Sequence, residues 1–466
     1  MSTTSAPVPP SLAGPAPAEP SPVEPVPVEE PRSVRRWAVP ATLAVLLALG
    51  LAARVPMLTE QSGDYRAFLL PWYTHLVDAG GFPGLADSFS NYNTPYLALL
   101  AALTYLPVEP LVGIKAISIV FDVLLALLAL RIVAEVRPGS RWLPVVAFGA
   151  TFLLPTVMLN SAWWAQCDSI YVSLCLGSLF FLLRRQTALA CALFGLAFAF
   201  KLQAVFLLPA LVVLVVVNRQ RLRGLVLAPL TFLAALVPAW LAGRSLASQL
   251  SVYPAQVSNP SGAGGTVGGG ARAAGGGLGG GGRAGGGFGG GTPGGGGGGG
   301  GTTTAHSFTS NAPTWYSWLP ADASTTWKWV GLGVAAAVAL ALAGWLLARR
   351  RTLAPPEMLL VAATLSLVVP LLLPEMHERY FYLGEVLAVV AIFVDRRFLV
   401  VAALIQIATL STYWSYLQST TTLPLETAAG FALAAAVGAT AILVLRLRRP
   451  VMRGDDPPHP PVASRR

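Results

Sequence analysis

Long apolar runs, interrupted by short polar connections that carry most of the arginines, dominate the pattern along this chain. A helix needs about 17 to 25 mostly apolar residues to cross the hydrocarbon core, and about twelve such segments are present. They begin near Trp37, Leu111, Leu143, Ser169, Thr187, Leu202, Gly224, Val330, Glu357, Tyr380, Phe398 and Ala428. Residues 187–200 and 202–217 are short and read as a hairpin whose tip holds Lys201. Residues 95–106 are too short to span and read as interfacial or re-entrant. The pattern predicts an all-α polytopic membrane protein with interfacial helices in the first outer loop.

Composition agrees with the pattern. Only 11% of the 466 residues are charged and 54% are hydrophobic, against roughly 25% charged in a soluble domain. That leaves too little polar surface for a soluble particle of this length. The net charge of +10 resides largely in clusters between apolar runs, namely Arg32, Arg35 and Arg36; Arg219, Arg221 and Arg223; Arg349, Arg350 and Arg351; and Arg446, Arg448 and Arg449. Such clusters mark cytoplasmic loops rather than a nucleic-acid surface. With the arginine-rich N-terminus inside, alternate connections place every strong basic cluster and both termini in the cytoplasm. The connections 58–110, 160–168, 243–328 and 374–379, with the tip at Lys201, then lie outside. The first apolar run follows arginines as a signal peptide would, but no small-residue cleavage site follows it.

Five stretches follow. Residues 1–36 are a Pro-rich cytoplasmic tail without apolar periodicity, and 37–260 form the N-terminal part of a membrane catalytic module. Residues 261–301, almost entirely Gly, are expected to be a flexible insert because they cannot bury enough apolar area to offset ordering entropy. Residues 302–449 complete the membrane module and 450–466 form a second tail. Glycine cradling of a phosphate lacks the strand–Gly–helix context it needs. Cys167, Cys175 and Cys191 show neither metal nor disulfide spacing and read as packing residues.

Four polar constellations gather on the outer side. GDYRAFLLPWYTHL, from Gly63 to Leu76, places Asp64 just beyond the first helix, either to take a proton from an acceptor hydroxyl or to cap the following helix. NSAWWAQCDSIY, from Asn160 to Tyr171, crowds Gln166, Asp168 and two tryptophans at membrane depth, where polar groups are a functional hypothesis by default. A helix cap with interfacial tryptophans would explain much of it, though not Gln166. AFAFKLQAVFLLP, from Ala197 to Pro209, sets Lys201 and Gln203 among apolar residues, so that the lysine either snorkels to headgroups or binds an anion in a cavity. PEMHERYFY, from Pro374 to Tyr382, packs Glu375, His377, Glu378 and Arg379 together, and a His–Arg pair suits a phosphate because the guanidinium matches its oxygens in bidentate fashion.

Taken in order, GDY, NSAWWAQCDSIY, LFGLAFAFKLQAVFLLP, SNAPTWY (Ser310 to Tyr316) and MHERYFY resemble the bacterial mannosyltransferases related to the eukaryotic GPI mannosyltransferases, which have the GT-C glycosyltransferase fold. The resemblance runs from about Gly63 to Leu387 and is densest over residues 160–209. It implies a polyprenyl-phosphate sugar donor, transfer on the extracytoplasmic face of the cell membrane, and an essential acid in the first outer loop, by position Asp64. MHERYFY is also similar to the His-Lys-Glu-x-Arg-Phe pattern of related enzymes, which implies His377 and Arg379 as ligands of the donor phosphate; Lys201 is expected to act as a weaker third cation, because the charge developing on the leaving phosphate needs compensation. Residues 91–96 read NYNTPY, where the family has an acidic Pro-Pro-Gly-like segment, and the Gly-rich insert is not a family feature.

The expected reaction is an inverting transfer, most readily of mannose, to a lipid or glycan acceptor, with Asp64 as general base. A phosphate diester leaves without protonation, so one base suffices. Gln166, Asp168, Gln203, Glu378 and Asn311 are assigned to positioning. The expected partners are the donor, the acceptor and membrane lipids, with no nucleic acid. No metal ligands and no cofactor are assigned, and a divalent metal remains an option. The competing reading is a transporter or flippase, which should show paired interrupted helices in two halves. No such repeat is evident, and the polar groups gather at one face.

Overall fold

A computed structural model describes residues 32–258, 308–320, 323–349 and 351–448. The expectations for residues 1–31 of the Pro-rich tail, the Gly-rich insert 261–301 and the tail 450–466 lie outside the described residues.

The described chain is mostly helical. The first helices are α1 (Arg32–Arg54), α2 (Leu70–Asp78), α3 (Thr94–Leu103), α4 (Pro110–Val136), α5 (Leu143–Phe152) and α6 (Pro155–Met158). Next come α7 (Asp168–Leu183), α8 (Thr187–Phe200), α9 (Leu208–Val217), α10 (Leu227–Ala235), α11 (Val237–Leu241), α12 (Leu246–Leu250) and α13 (Val252–Ser258). The C-terminal part holds β1 (Thr309–Ser310), α14 (Thr326–Ala348), α15 (Pro355–Leu372), β2 (Met376–His377), α16 (Tyr382–Ala391), α17 (Phe398–Gln418) and α18 (Leu425–Arg448). Helix starts follow local chemistry. Pro110 and Pro355 occupy first-turn positions where the missing N–H costs nothing, and the Glu109 side chain accepts from Val112 N at 2.8 Å.

Among the described residues, seven helices are long and apolar enough to cross a membrane, or eight if the pair Leu143–Phe152 and Pro155–Trp163, bent by 49°, is one span. The protein is therefore a multi-pass membrane protein. The expected count of about twelve is not reached by length, because the segments expected near Ser169, Thr187, Leu202 and Tyr380 are shorter apolar helices: Asp168–Leu183, Thr187–Phe200, Leu202–Val217 and Tyr382–Ala391. The first begins at Asp168, the second and third are separated by Lys201, whose backbone is extended, and the fourth begins three residues after Arg379, so each apolar run is cut short close to a polar residue. The fifth short helix, Thr94–Leu103, is the segment expected to be interfacial or re-entrant.

The largest buried cluster joins residues of α4, α7, α8, α9 and α15 to α18. Close helix approach depends on small residues. A Cβ on Gly195 of α8 would lie 2.1 Å from the Ala228 carbonyl, and one on Gly384 of α16 would lie 2.7 Å from that of Ser366. A second cluster packs α2, α3 and the start of α4 against Ala165, Cys167 and Ile170. The cysteines are free and buried.

Two ends of the bundle differ in chemistry. At one, arginines tie helix ends together: Arg137 donates to the Phe393 carbonyl at 2.6 Å, Arg185 to that of Asn218 at 3.2 Å, and Arg349 to that of Leu447 at 2.8 Å. At the other, α1 ends, α4 and α7 begin, α8 ends, α15 ends, α16 begins and α17 ends. There β1 pairs in parallel with β2, in register Thr309 to Met376 and Ser310 to His377.

Candidate active site

Two π-helical turns, Tyr65–Leu69 and Leu159–Trp163, flank the residues that converge at this second end. Such turns are rare and recur at functional sites, because the widened backbone re-aims side chains. The first follows Asp64 directly. The second leads into Ala165, which has a left-handed backbone with φ of 65°, a conformation that costs a non-glycine residue roughly 1 to 3 kcal/mol. That reversal lets Trp164 and Gln166, on either side of it, reach the same carboxylate.

Asp64 is buried and makes no capping bond to its own helix, which removes the capping alternative. Its Oδ2 accepts from Trp164 Nε1 at 3.0 Å and from the Gln166 amide, while its Oδ1 accepts from the Tyr416 hydroxyl at 2.5 Å. Tyr92 in turn donates to Gln166 Oε1 at 3.2 Å. Trp164 has no exposed surface, so it holds the site rather than anchoring at an interface.

Asp168 accepts from Asn160 at 2.8 Å and from Lys201 at 2.5 Å. Lys201 is itself buried, so it neither snorkels nor stands free for an anion: its charge is matched by Asp168, and it lies 5.4 Å from the Tyr92 ring centre. Arg379 joins the two halves. Its Nη1 is 2.9 Å from Glu378 Oε1 and 3.8 Å from Asp64 Oδ2, its Nε is 4.0 Å from Asp168 Oδ2, and its guanidinium lies 5.2 Å from the Trp164 ring centre. Gln203 is buried beside the Tyr380 hydroxyl, with its Oε1 unpartnered.

Asp64, Gln166, Asp168, Lys201 and Glu378, all buried, thus form one group with the partly buried Arg379, and His377 and Gln203 lie at its edge. Asn311 stands apart. Its backbone bridges to His377 and its amide donates to the Thr412 carbonyl at 3.1 Å, so it fastens the loop carrying Glu378 and Arg379 to α17. Glu375 is drawn away from the group by an ion pair with Lys328.

Burial sets the protonation of the loop. It pushes the Glu378 carboxyl up to about 7 against the opposing pull of Arg379, and pushes the His377 imidazole down to about 3, aided by Arg379 and Lys201. His377 is therefore neutral at pH 7 and can donate a hydrogen bond without adding charge. Glu378 changes charge near neutrality. Among the described residues no three His, Cys, Asp or Glu side chains are gathered so as to hold a metal ion.

A frame of ionisable residues beneath the site was open to sequence reasoning and missed by it. Arg54, at the end of α1, donates to Asp122 at 2.8 Å, and Ser161 donates to the same carboxylate at 2.5 Å. Lys115 gathers the carbonyls of Met57, Leu58 and Glu60 at 2.7, 3.2 and 2.6 Å, and so fixes the segment that leads to Asp64. The signal was two ionisable residues inside one apolar run, which membrane interiors tolerate only where they are used. Lys115→Met leaves three carbonyls without their donor and is expected to cost about 3 kcal/mol of stability. The check is thermal unfolding of the detergent-solubilised protein, which should melt well below the parent.

Residues 89–266 match the family model of glycosyltransferase family 87. The matched segment contains Gln166, Asp168, Lys201 and Gln203. Asp64, Asn311, His377, Glu378 and Arg379 lie outside it. No curated protein matches the chain. The match supports a membrane glycosyltransferase.

Proposed function

We propose that this protein is a glycosyltransferase of the GT-C fold that moves a hexose, mannose, from a polyprenyl-phosphate donor to a lipid or glycan acceptor on the extracytoplasmic face of the cell membrane. The observation that carries the reading is Asp64, oriented by three side-chain donors and set beside Arg379, which lies between it and Asp168. A base next to a fixed cation is what transfer from a phosphate needs: one group takes the acceptor proton while the other holds the departing charge. Arg379 receives the donor phosphate, His377 donates to it, and Lys201 contributes its field through the pair with Asp168. Gln166 orients Asp64, Gln203 supports the loop through Tyr380, and Glu378 orients Arg379. The arginines at the far end of the bundle support the extracytoplasmic placement, since basic clusters favour the cytoplasm.

Acceptor attack on the anomeric carbon opposite the phosphate inverts its configuration, and Asp64 needs no second carboxyl acting as acid. The test is purified protein in liposomes with a radiolabelled mannosyl polyprenyl phosphate and a native cell-envelope fraction. Label is expected in covalent product outside the donor. Uptake of intact donor with no covalent product would mean a transporter.

Glu378 gives this reading a pH dependence. Below about 7 its carboxyl is protonated and leaves Arg379 to the donor. As pH rises through that value it ionises and competes with the phosphate for the guanidinium. Donor binding is thus expected to weaken several-fold between pH 6 and pH 8, and Glu378→Gln to flatten the dependence. A mannosyl polyprenyl phosphodiester, whose own charge is constant over this range, is the ligand to titrate.

A further inference from the structure

Asp64 Oδ2 is occupied by Trp164 and Gln166, so Oδ1 is the oxygen available to a substrate hydroxyl, and it is held by the hydroxyl of Tyr416 at 2.5 Å. Tyr416 lies in the last turn of α17, two residues before the helix ends at Gln418, and Ser419 then takes a left-handed conformation with φ of 53°. Its ring stacks on Trp164 at 4.7 Å with an interplanar angle of 27°. The phenol is only partly buried, unlike Trp164 and Gln166. The three donors therefore differ in kind. Two are buried and fixed by a strained backbone, and the third comes from a helix end facing the exposed turn 419–422.

We propose that the Tyr416 hydroxyl is a placeholder for the acceptor hydroxyl: it covers the base against water until an acceptor displaces it, and so decides whether sugar passes to acceptor or to solvent. The inference rests on the function proposed above. While Tyr416 holds Oδ1, water cannot be deprotonated there and the donor is not hydrolysed. When an acceptor hydroxyl takes its place, that proton passes to Oδ1 and the acceptor oxygen bonds to the anomeric carbon. The bond from that carbon to the phosphate oxygen then breaks, its electron pair leaving on the phosphate beside Arg379. The displaced phenol keeps its stack on Trp164 and returns when the product leaves.

Tyr416→Phe keeps the ring and removes the hydroxyl. With mannosyl farnesyl phosphate as donor, two rates are read: free mannose released without acceptor, and mannose transferred to the native envelope fraction. The ratio of hydrolysis to transfer is expected to rise about tenfold, the scale of one hydrogen bond to a charged group. Tyr416→His, which returns a ring N–H donor, is expected to bring the ratio back toward the parent. A residue that only supported the fold would lower both rates together, so an unchanged or lower ratio in a Tyr416→Phe protein that melts like the parent overturns the placeholder. Asp64→Asn separates this from the underlying reading. If that variant still transfers, the reading itself fails; if it is inactive while the Tyr416→Phe ratio is unchanged, only the placeholder fails.

Discussion

Asp64→Asn is expected to abolish sugar transfer, by about 10³-fold or more, the upper part of what a general base contributes. The substitution is nearly isosteric. The amide oxygen can still accept from Trp164 and Gln166, and the Tyr416 hydroxyl can turn to accept from the new NH2 group, so the protein should express and bind donor almost as the parent does. What disappears is the proton acceptor. Asp168→Asn tests a different thing. Both Asp168 oxygens are committed, one to Asn160 and one to Lys201, and neutralising it leaves a buried lysine without its counter-charge, a loss of about 3 to 5 kcal/mol. Its effect should therefore fall on stability, with a smaller loss per folded molecule. Full activity in Asp64→Asn, with none in well-folded Asp168→Asn, would move the base to Asp168.

Arg379→Ala should impair turnover by about 10² to 10³-fold, the cost of removing one group that stabilises developing charge in a water-poor site. It also leaves Glu378 and Asp64 facing each other without the cation between them, so donor binding should weaken together with turnover. Arg379→Lys should recover only part of the loss. An ammonium restores charge but cannot hold Glu378 while offering a planar fork to phosphate and lying over Trp164. Steady-state kinetics with a fixed donor series would show both effects. Parental kinetics in Arg379→Ala would remove the phosphate from this loop.

The convergence of four motifs was legible because each placed several polar groups where the membrane interior makes them expensive, and because they occur in one order. The partners within the group were not. Lys201 reads locally as a snorkelling or anion-binding lysine, and only the fold sets it against Asp168, 33 residues earlier. Tyr416 sits in an aromatic, polar helix end that resembles an interfacial belt, and its contact with Asp64 spans 352 residues. Asp64 reads equally well as a helix cap from its sequence position, and only its bonds to Trp164, Gln166 and Tyr416 decide against that role. The helical class and most segment positions followed from hydropathy. The lengths near Ser169, Thr187, Leu202 and Tyr380 did not, because hydropathy averages over the breaks at Cys167, Lys201 and Phe381 where the backbone leaves the helix.

The configuration of the transferred sugar tests whether Asp64 acts as the base of an inverting transfer. Purified protein would be given a polyprenyl-phosphate mannose of known β configuration together with the native envelope fraction, and the anomeric linkage of the product read by NMR. An α-linked product is expected, formed by the parent and absent with Asp64→Asn. A β-linked product, or donor that crosses the bilayer without any covalent transfer, would contradict an inverting transfer with Asp64 as its base.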